Sequence, residues 1–270
     1  MSLTVGLANE EELRALFLQK HGKPEATGWA PSRRFRFGYF TPSDVYEATV
    51  AKVVAAGCRW LDVGGGRSMF PENPTLARTL AERARVVVAV DPSGNVHDND
   101  LVHERINSTL EGFTTDTPFD LATIRMVVEH VENPSEFVAS LSRAVKPGGI
   151  VVVLTVNLWS PVTFVSRLVP FRLHHAVKKL FWGGFEEDTF PAHYRMNTRL
   201  QLAGLFEQAG FVERDFRKVG DLSVFGKFRV LNYVELLLWR ALDAVGVSYP
   251  ENCLIGVYQR DKENVRESAS

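Results

Sequence analysis

The stretch Arg59-Trp60-Leu61-Asp62-Val63-Gly64-Gly65-Gly66-Arg67-Ser68 decides the reading of this chain. An apolar run ends in an acid and then breaks into consecutive glycines. A buried strand does this when it runs into a tight loop. Glycine has no Cβ, so a ligand can lie directly on the loop backbone, whose free N–H groups suit a polar or anionic group. Alone the triplet also fits a plain tight turn, and the flanking sequence has to decide.

Downstream, Pro71, Asn73 and Pro74 mark irregular chain, and a helix is expected from about Thr75 to Arg83 with Leu76 and Leu80 inward. Val86-Val87-Val88-Ala89-Val90 is continuous and apolar, which suits a parallel strand buried on both faces, and it ends at Asp91. The order so far is strand, glycine loop, helix, strand, acid. A carboxylate at the end of the second strand is placed to accept from a pair of ribose hydroxyls. Its competing role is to form a turn before Pro92 and Ser93. A short third strand is expected within Leu101–Ile106, followed by the polar loop Asn107-Ser108-Thr109-Leu110-Glu111-Gly112. A fourth strand is expected over Phe119–Ile124, with Arg125-Met126-Val127-Val128-Glu129-His130-Val131 at its exit. A helix starting at Pro134, with Phe137, Leu141 and Val145 on one face, leads to the turn Lys146-Pro147-Gly148-Gly149. Ile150–Val156 is then a fifth buried strand. Such alternation predicts a parallel sheet covered on both faces by helices.

Upstream, Asn9 caps a helix running to about Lys20, with Leu13, Leu16 and Phe17 on one face. A loop with Gly22, Pro24, Gly28 and Pro31 follows. Arg33-Arg34-Phe35-Arg36-Phe37-Gly38-Tyr39-Phe40 is basic and aromatic together. It reads either as an arm packed on the domain or as a flap over a ligand. Thr41-Pro42-Ser43-Asp44 opens a helix expected to run to Gly57.

Beyond the fifth strand the rhythm breaks. Residues 157–197, rich in tryptophan, histidine and lysine, are too long for an ordinary connection and are expected to form a helical lid. Asn197-Thr198 caps the next helix, Phe211–Val219 is a sixth strand, and Cys253–Tyr258 a last one. The strongly apolar Val230–Ala244 helix is expected in the core. The resulting division is 1–44 N-terminal helix and flap, 45–156 cofactor-binding half, 157–197 lid, 198–262 remainder of the sheet, and 263–270 a frayed tail.

Composition excludes some classes. The formal net charge of −1 argues against a nucleic-acid binder, so no nucleic acid is expected. Cys58 and Cys253 lie far apart without metal-ligand spacing, and two buried thiols in a reducing compartment are expected, with no metal. The N-terminus carries no signal pattern and no apolar run reaches membrane-spanning length, so the expected location is cytoplasmic.

Taken in order, these features resemble the class I S-adenosylmethionine-dependent methyltransferases, and within them the small-molecule branch that includes the quinone-biosynthesis enzymes. Four segments carry the resemblance, which covers roughly residues 45–260. They are Leu61-Asp62-Val63-Gly64-Gly65-Gly66, Val90-Asp91, Phe119-Asp120-Leu121 through Glu129-His130-Val131, and Val145-Lys146-Pro147-Gly148-Gly149. The chain departs from the pattern at Ser68, which stands for the third glycine, and in the long span from Gly66 to Asp91. The resemblance implies an α/β, Rossmann-like, mostly parallel seven-stranded sheet with S-adenosyl-L-methionine as cofactor. It puts Asp62 near the methionine amino group or the loop, Gly64, Gly65 and Gly66 under the cofactor, and Asp91 and Pro92 at the ribose. Ser108, Thr109 and Leu110 fall near the adenine, and Arg125 and Met126 along the methionine end.

Methyl transfer to a hydroxyl of a small-molecule acceptor needs a base, because the hydroxyl itself is a weak acid. His130 is the first candidate, since it leaves the fourth strand at the ligand edge; its competing role is to hold the helix entry by hydrogen bonds. His193 and Tyr194, on the lid, are the second pair, with a packed lid as their alternative. Glu129 is expected to cap or orient. Two rivals stand beside this reading. A nicotinamide dehydrogenase also uses a glycine loop and a second-strand acid. A non-catalytic protein of this fold would make a peripheral membrane contact through the insert and the 230–244 helix. Nothing in the sequence sets the oligomeric state.

Overall fold

The computed structural model describes residues 5–26, 28–161, 163, 190–222 and 228–262. Its centre is a seven-stranded sheet: β1 (Arg59–Val63), β2 (Val86–Asp91), β3 (Glu104–Asn107), β4 (Phe119–Arg125), β5 (Val145–Val156), β6 (Phe211–Val219) and β7 (Cys253–Arg260). The strand order is β3-β2-β1-β4-β5-β7-β6, and only β7 runs antiparallel to its neighbours. The order reverses between β1 and β4, and ligands of open α/β sheets bind in the crevice at such a point. The expected mostly parallel sheet with helices on both faces is therefore present.

The alternation of side chains along each strand builds two cores. Trp60, Val87, Ala89, Val152, Leu154 and Ile255 face one side, packed under α1 (Glu10–His21), α3 (Pro42–Val53) and α4 (Pro74–Arg83). Leu61, Val88, Val90, Ile124, Val151 and Val153 face the other, under α5 (Pro134–Ala144) and α6 (Arg199–Gln208). A bulge in β6 between Glu213 and Asp215 switches that strand's faces. Glu213 meets Arg199 of α6, whereas Asp215 turns to the N-terminal arm and accepts from the Leu7 N–H at 2.9 Å.

The arm is fastened by charge. Lys20 at the end of α1 reaches Asp44 at 3.2 Å and Glu47 at 3.1 Å, all three side chains being buried. Burial alone would lower the Lys20 pKa, but Asp44, Glu47 and Glu72 outweigh it and hold the ammonium above its usual value.

Several boundaries differ from expectation. The basic-aromatic stretch lies mostly in helix α2 (Trp29–Phe37), packed on the domain with Phe35 against Phe17 at 4.8 Å. Pro31 is tolerated because it falls in the first turn, where its missing N–H has no helical partner to lose. Gly38, at φ 70°, ends the helix in the left-handed conformation. Helix α3 stops at Val53, short of Gly57, because Val54 is already extended. The Lys146–Gly149 turn lies inside β5: Gly148 takes φ 81°, and the irregularity in the pairing with β4 absorbs it. The short third strand begins inside the expected segment, at Glu104, and ends one residue beyond it, at Asn107.

The largest correction concerns α7 (Arg229–Ala244), expected in the core. Its buried residues are Asn232, Glu235 and Leu236, while Val230, Leu231, Tyr233, Val234, Leu237 and Leu238 are exposed. On the inward side Leu236 is fully buried, and Asn232 and Glu235 each find one partner. Asn232 donates to the Leu222 carbonyl at 3.3 Å, and Tyr249 donates to Glu235 at 3.0 Å. Most of the expected lid, 164–189, and the tail 263–270 lie outside the described residues; 190–197 runs as irregular chain.

Candidate active site

The glycine loop leaves β1 at the sheet's carboxyl edge. Gly64 takes φ 73° and donates to the Val90 carbonyl at 2.8 Å. A Cβ there would stand 2.1 Å from a methyl of Val127, and one on Gly65 would stand 2.8 Å from Asp62 Oδ2. The glycines are required by the closeness of β2 and of the β4 exit.

Asp91 forms the turn that its position suggested and is also tied to the glycine loop. Its Oδ1 accepts from the Ser93 N–H at 2.7 Å, forming the turn, and its Oδ2 accepts from the Gly66 N–H at 3.0 Å, tying the acid to the glycine loop. Each carboxylate oxygen has capacity for a further donor. Pro92 is exposed beside it. The Ser108 N–H and the Asn107 side chain both donate to the Asp91 carbonyl, so the 107–110 loop flanks the same strand end. Thr109 is exposed, and Leu110 is buried in the core under α5.

Asp62 sits beneath the loop. Its Oδ1 accepts from Thr123 Oγ1 at 2.8 Å, and the same hydroxyl accepts from Trp60 Nε1 at 2.7 Å. Oδ2 is buried and has no hydrogen-bond partner. Burial pushes the carboxyl up to about 7; Thr123 and Arg125 pull it down and Asp91 pushes it further up. An orphaned buried carboxylate oxygen is costly unless a donor arrives to meet it. Together with a cradle that a single Cβ would fill, it fits the amino-acid end of a charged nucleoside.

Arg125 ends β4 and reaches Ser43 Oγ, at the start of α3, at 3.5 Å. Met126 follows at φ 54°; among the described residues only it and Tyr194, at φ 53°, are non-glycines with positive φ. Such strain costs roughly 1–3 kcal/mol each and tends to gather at functional sites. The N–H groups of His193 and Tyr194 converge on the Glu129 carbonyl at 2.7 and 3.1 Å. His130 Nδ1 lies 3.0 Å from the Pro191 carbonyl oxygen, and the His130 ring faces Phe190 at 6.1 Å. The structure thus brings together His130, His193 and Tyr194, which the sequence offered as separate candidates. A carbonyl can only accept, so Nδ1 carries the proton and Nε2 is left with the basic lone pair. His130 does hold the neighbouring segment, and that tether fixes its tautomer.

Glu129 caps no helix. Its side chain is buried and accepts from Thr155 Oγ1 at 2.9 Å, and that hydroxyl accepts from Asn197 Nδ2 at 2.8 Å. Burial raises its pKa, against the opposing pull of His130 and Arg125. Thr123, Thr155 and Asn197 were missed as site residues. The available signal was a threonine inside each of two otherwise apolar strands, where a hydroxyl has to find a partner.

A strand-order switch, a glycine loop over an orphaned carboxyl and a second-strand acid define the nucleoside-binding class of α/β enzymes. Comparison with known proteins names the family. The methyltransferase domain family matches residues 12–213, and the chain belongs to it as a class I S-adenosylmethionine-dependent methyltransferase. That match supports the methyltransferase reading over a nicotinamide dehydrogenase. The chain is 28% identical over 175 residues to the mitochondrial ubiquinone biosynthesis O-methyltransferase of Schizosaccharomyces pombe, covering 61% of this chain and 58% of that one. It is 29% identical over 198 residues to the ubiquinone biosynthesis O-methyltransferase of Xanthomonas oryzae pv. oryzae, covering 68% and 78%. The chain spans between 40% and 58% of the length of the first curated relatives it matches. In fold it resembles an N-methyltransferase from Bradyrhizobium japonicum in complex with S-adenosyl-L-homocysteine, with TM-score 0.50, 12% identity and coverage of 92% and 98%.

Proposed function

We propose that this protein transfers a methyl group to a hydroxyl of a small aromatic acceptor, a phenol or catechol of the quinone-precursor type. The acceptor would lie over the β4 and β5 exits. The observation that carries the reading is the meeting of His130 with the 190–194 segment at the exit of β4. The names of the curated relatives, ubiquinone biosynthesis O-methyltransferases, support an oxygen acceptor.

When bound, S-adenosylmethionine supplies a methyl already activated by its sulfonium. Asp62 Oδ2 would hold the donor's amino group, Gly64 to Gly66 would admit its backbone-like end, and Asp91 would hold the ribose. Ser108 and Leu110 would border the adenine, with Arg125 and Met126 along the methionine. The protein's main task is then alignment, which contributes on the order of 7–11 kcal/mol. His130 Nε2 would take the acceptor's hydroxyl proton as the oxygen bonds to the methyl carbon, the C–S bond breaks and its electron pair stays on sulfur. His193 and Tyr194 would border the acceptor.

The test is a panel of phenols, catechols, sugars and amines incubated with labelled donor, with products identified by mass. The expected result is a methyl ether on a phenol or catechol. Methylation confined to amines would overturn the oxygen assignment.

A further inference from the structure

The outward side of α7 is apolar where a surface helix is normally polar. Val230 is 75% exposed, Val234 55% and Leu238 52%, and Phe228, Leu231 and Leu237 continue the strip. Contiguous exposed apolar surface of this kind marks an interaction site. Between Phe228 and Leu242 the exposed charged side chains are Arg229 and Arg240, one near each end; the one acid, Glu235, is turned inward.

Helix α2 lies alongside and adds to the charge. Arg33 donates to the Arg229 carbonyl at 2.8 Å and stacks its guanidinium over Tyr233 at 4.8 Å. Arg240 donates to the Phe37 carbonyl at 3.2 Å, and Arg36 is exposed. The face is therefore an apolar strip about 15 Å long, from 1.5 Å per residue, with arginines at its edges. Among the described residues no helix is long and apolar enough to cross a membrane.

We propose that this face docks on an anionic phospholipid bilayer, with α7 lying in the plane of the interface. A helix with leucine and valine on one side and arginine at its edges sinks its apolar side to the acyl boundary and pairs its cations with lipid phosphates. A second copy of this chain fits less well. A two-fold pairing of the strip would bring arginine ends against arginine ends, and among the described residues the one exposed acid of α7 is Asp243, in its last turn. The proposal does not rest on the acceptor or on catalysis, because docking is read without turnover.

The test is flotation of the full chain with vesicles of phosphatidylglycerol and phosphatidylcholine, against vesicles of phosphatidylcholine alone. The expected result is binding to the anionic vesicles at least tenfold stronger, weakening with salt. Val234→Glu with Leu238→Glu should reduce it at least tenfold, with unchanged circular dichroism and melting temperature. Leu200→Glu, at an 85% exposed site on α6, should leave it unaltered. Absence of binding, or binding indifferent to the double substitution, overturns the proposal. So does a lipid-free dimer that the double substitution dissociates, which would make the face a contact between copies.

Discussion

Thr123 donates its hydroxyl to Asp62 Oδ1 at 2.8 Å and leaves Asp62 Oδ2 buried without a partner. The carboxyl is thus half satisfied before any ligand arrives, and burial holds it near pH 7. From about pH 4 to 7 the folded protein keeps a proton that the unfolded chain has lost, so this group makes stability fall as pH rises through that window. Binding a cationic amino group requires the carboxylate. Donor affinity should therefore rise between about pH 6 and 7.5, with release of a proton. Calorimetry in two buffers of different ionisation heat reads that proton. Asp62→Asn should abolish both the release and the pH dependence; unchanged behaviour in that variant would remove Asp62 from the donor site.

Thr123 serves two buried groups at once, as acceptor for Trp60 Nε1 and donor to Asp62. Thr123→Val keeps the shape and removes both bonds. The expected loss is about 1–3 kcal/mol for each group left unpaired. Thr123→Ser should recover most of it. Urea denaturation of the three proteins decides the matter, and a valine variant as stable as the parent would contradict it.

Gly64 combines φ 73° with a Cβ position 2.1 Å from the Val127 methyl. Gly64→Ala should therefore weaken donor binding and cost about 1–3 kcal/mol in backbone strain, plus the clash. Adding Val127→Ala should relieve the clash but not the strain, so recovery should be partial. Full recovery in the double variant would mean that the left-handed backbone is not limiting.

His130 is tethered through Nδ1 to Pro191, which leaves Nε2 for chemistry. His130→Asn keeps an N–H for the carbonyl and removes the base. Its turnover should drop on the order of 10²–10⁴-fold while donor affinity is unchanged. A variant within a few-fold of the parent would reduce His130 to a tether.

The fold and the glycine loop were legible in the sequence because their signals are short-range. A continuous valine run reads as a buried strand wherever it lies, and Gly64 to Gly66 report a backbone that no side chain allows. The Asp62 and Asp91 positions follow from those strands by counting. The α2 helix was hidden because Gly28 and Pro31 read as loop, and only the packing of Phe35 on Phe17 shows that they open a helix. The buried Lys20–Asp44–Glu47 cluster was equally hidden, since each residue alone looks like a solvated helix end or cap.

By itself, then, the sequence determined the strand and helix rhythm, the glycine loop and the acids at the ends of β1 and β2. Periodicity and glycine conformation act over a few residues and need no partner. Only the tertiary structure decided that His130 meets Pro191 and that the apolar side of α7 faces outward. The first depends on two segments 61 positions apart closing on each other. The second depends on Leu236 packing against Tyr39 and Leu222, with Asn232 and Glu235 beside it on the inward side, which leaves the other leucines and the valines of the same helix at the surface.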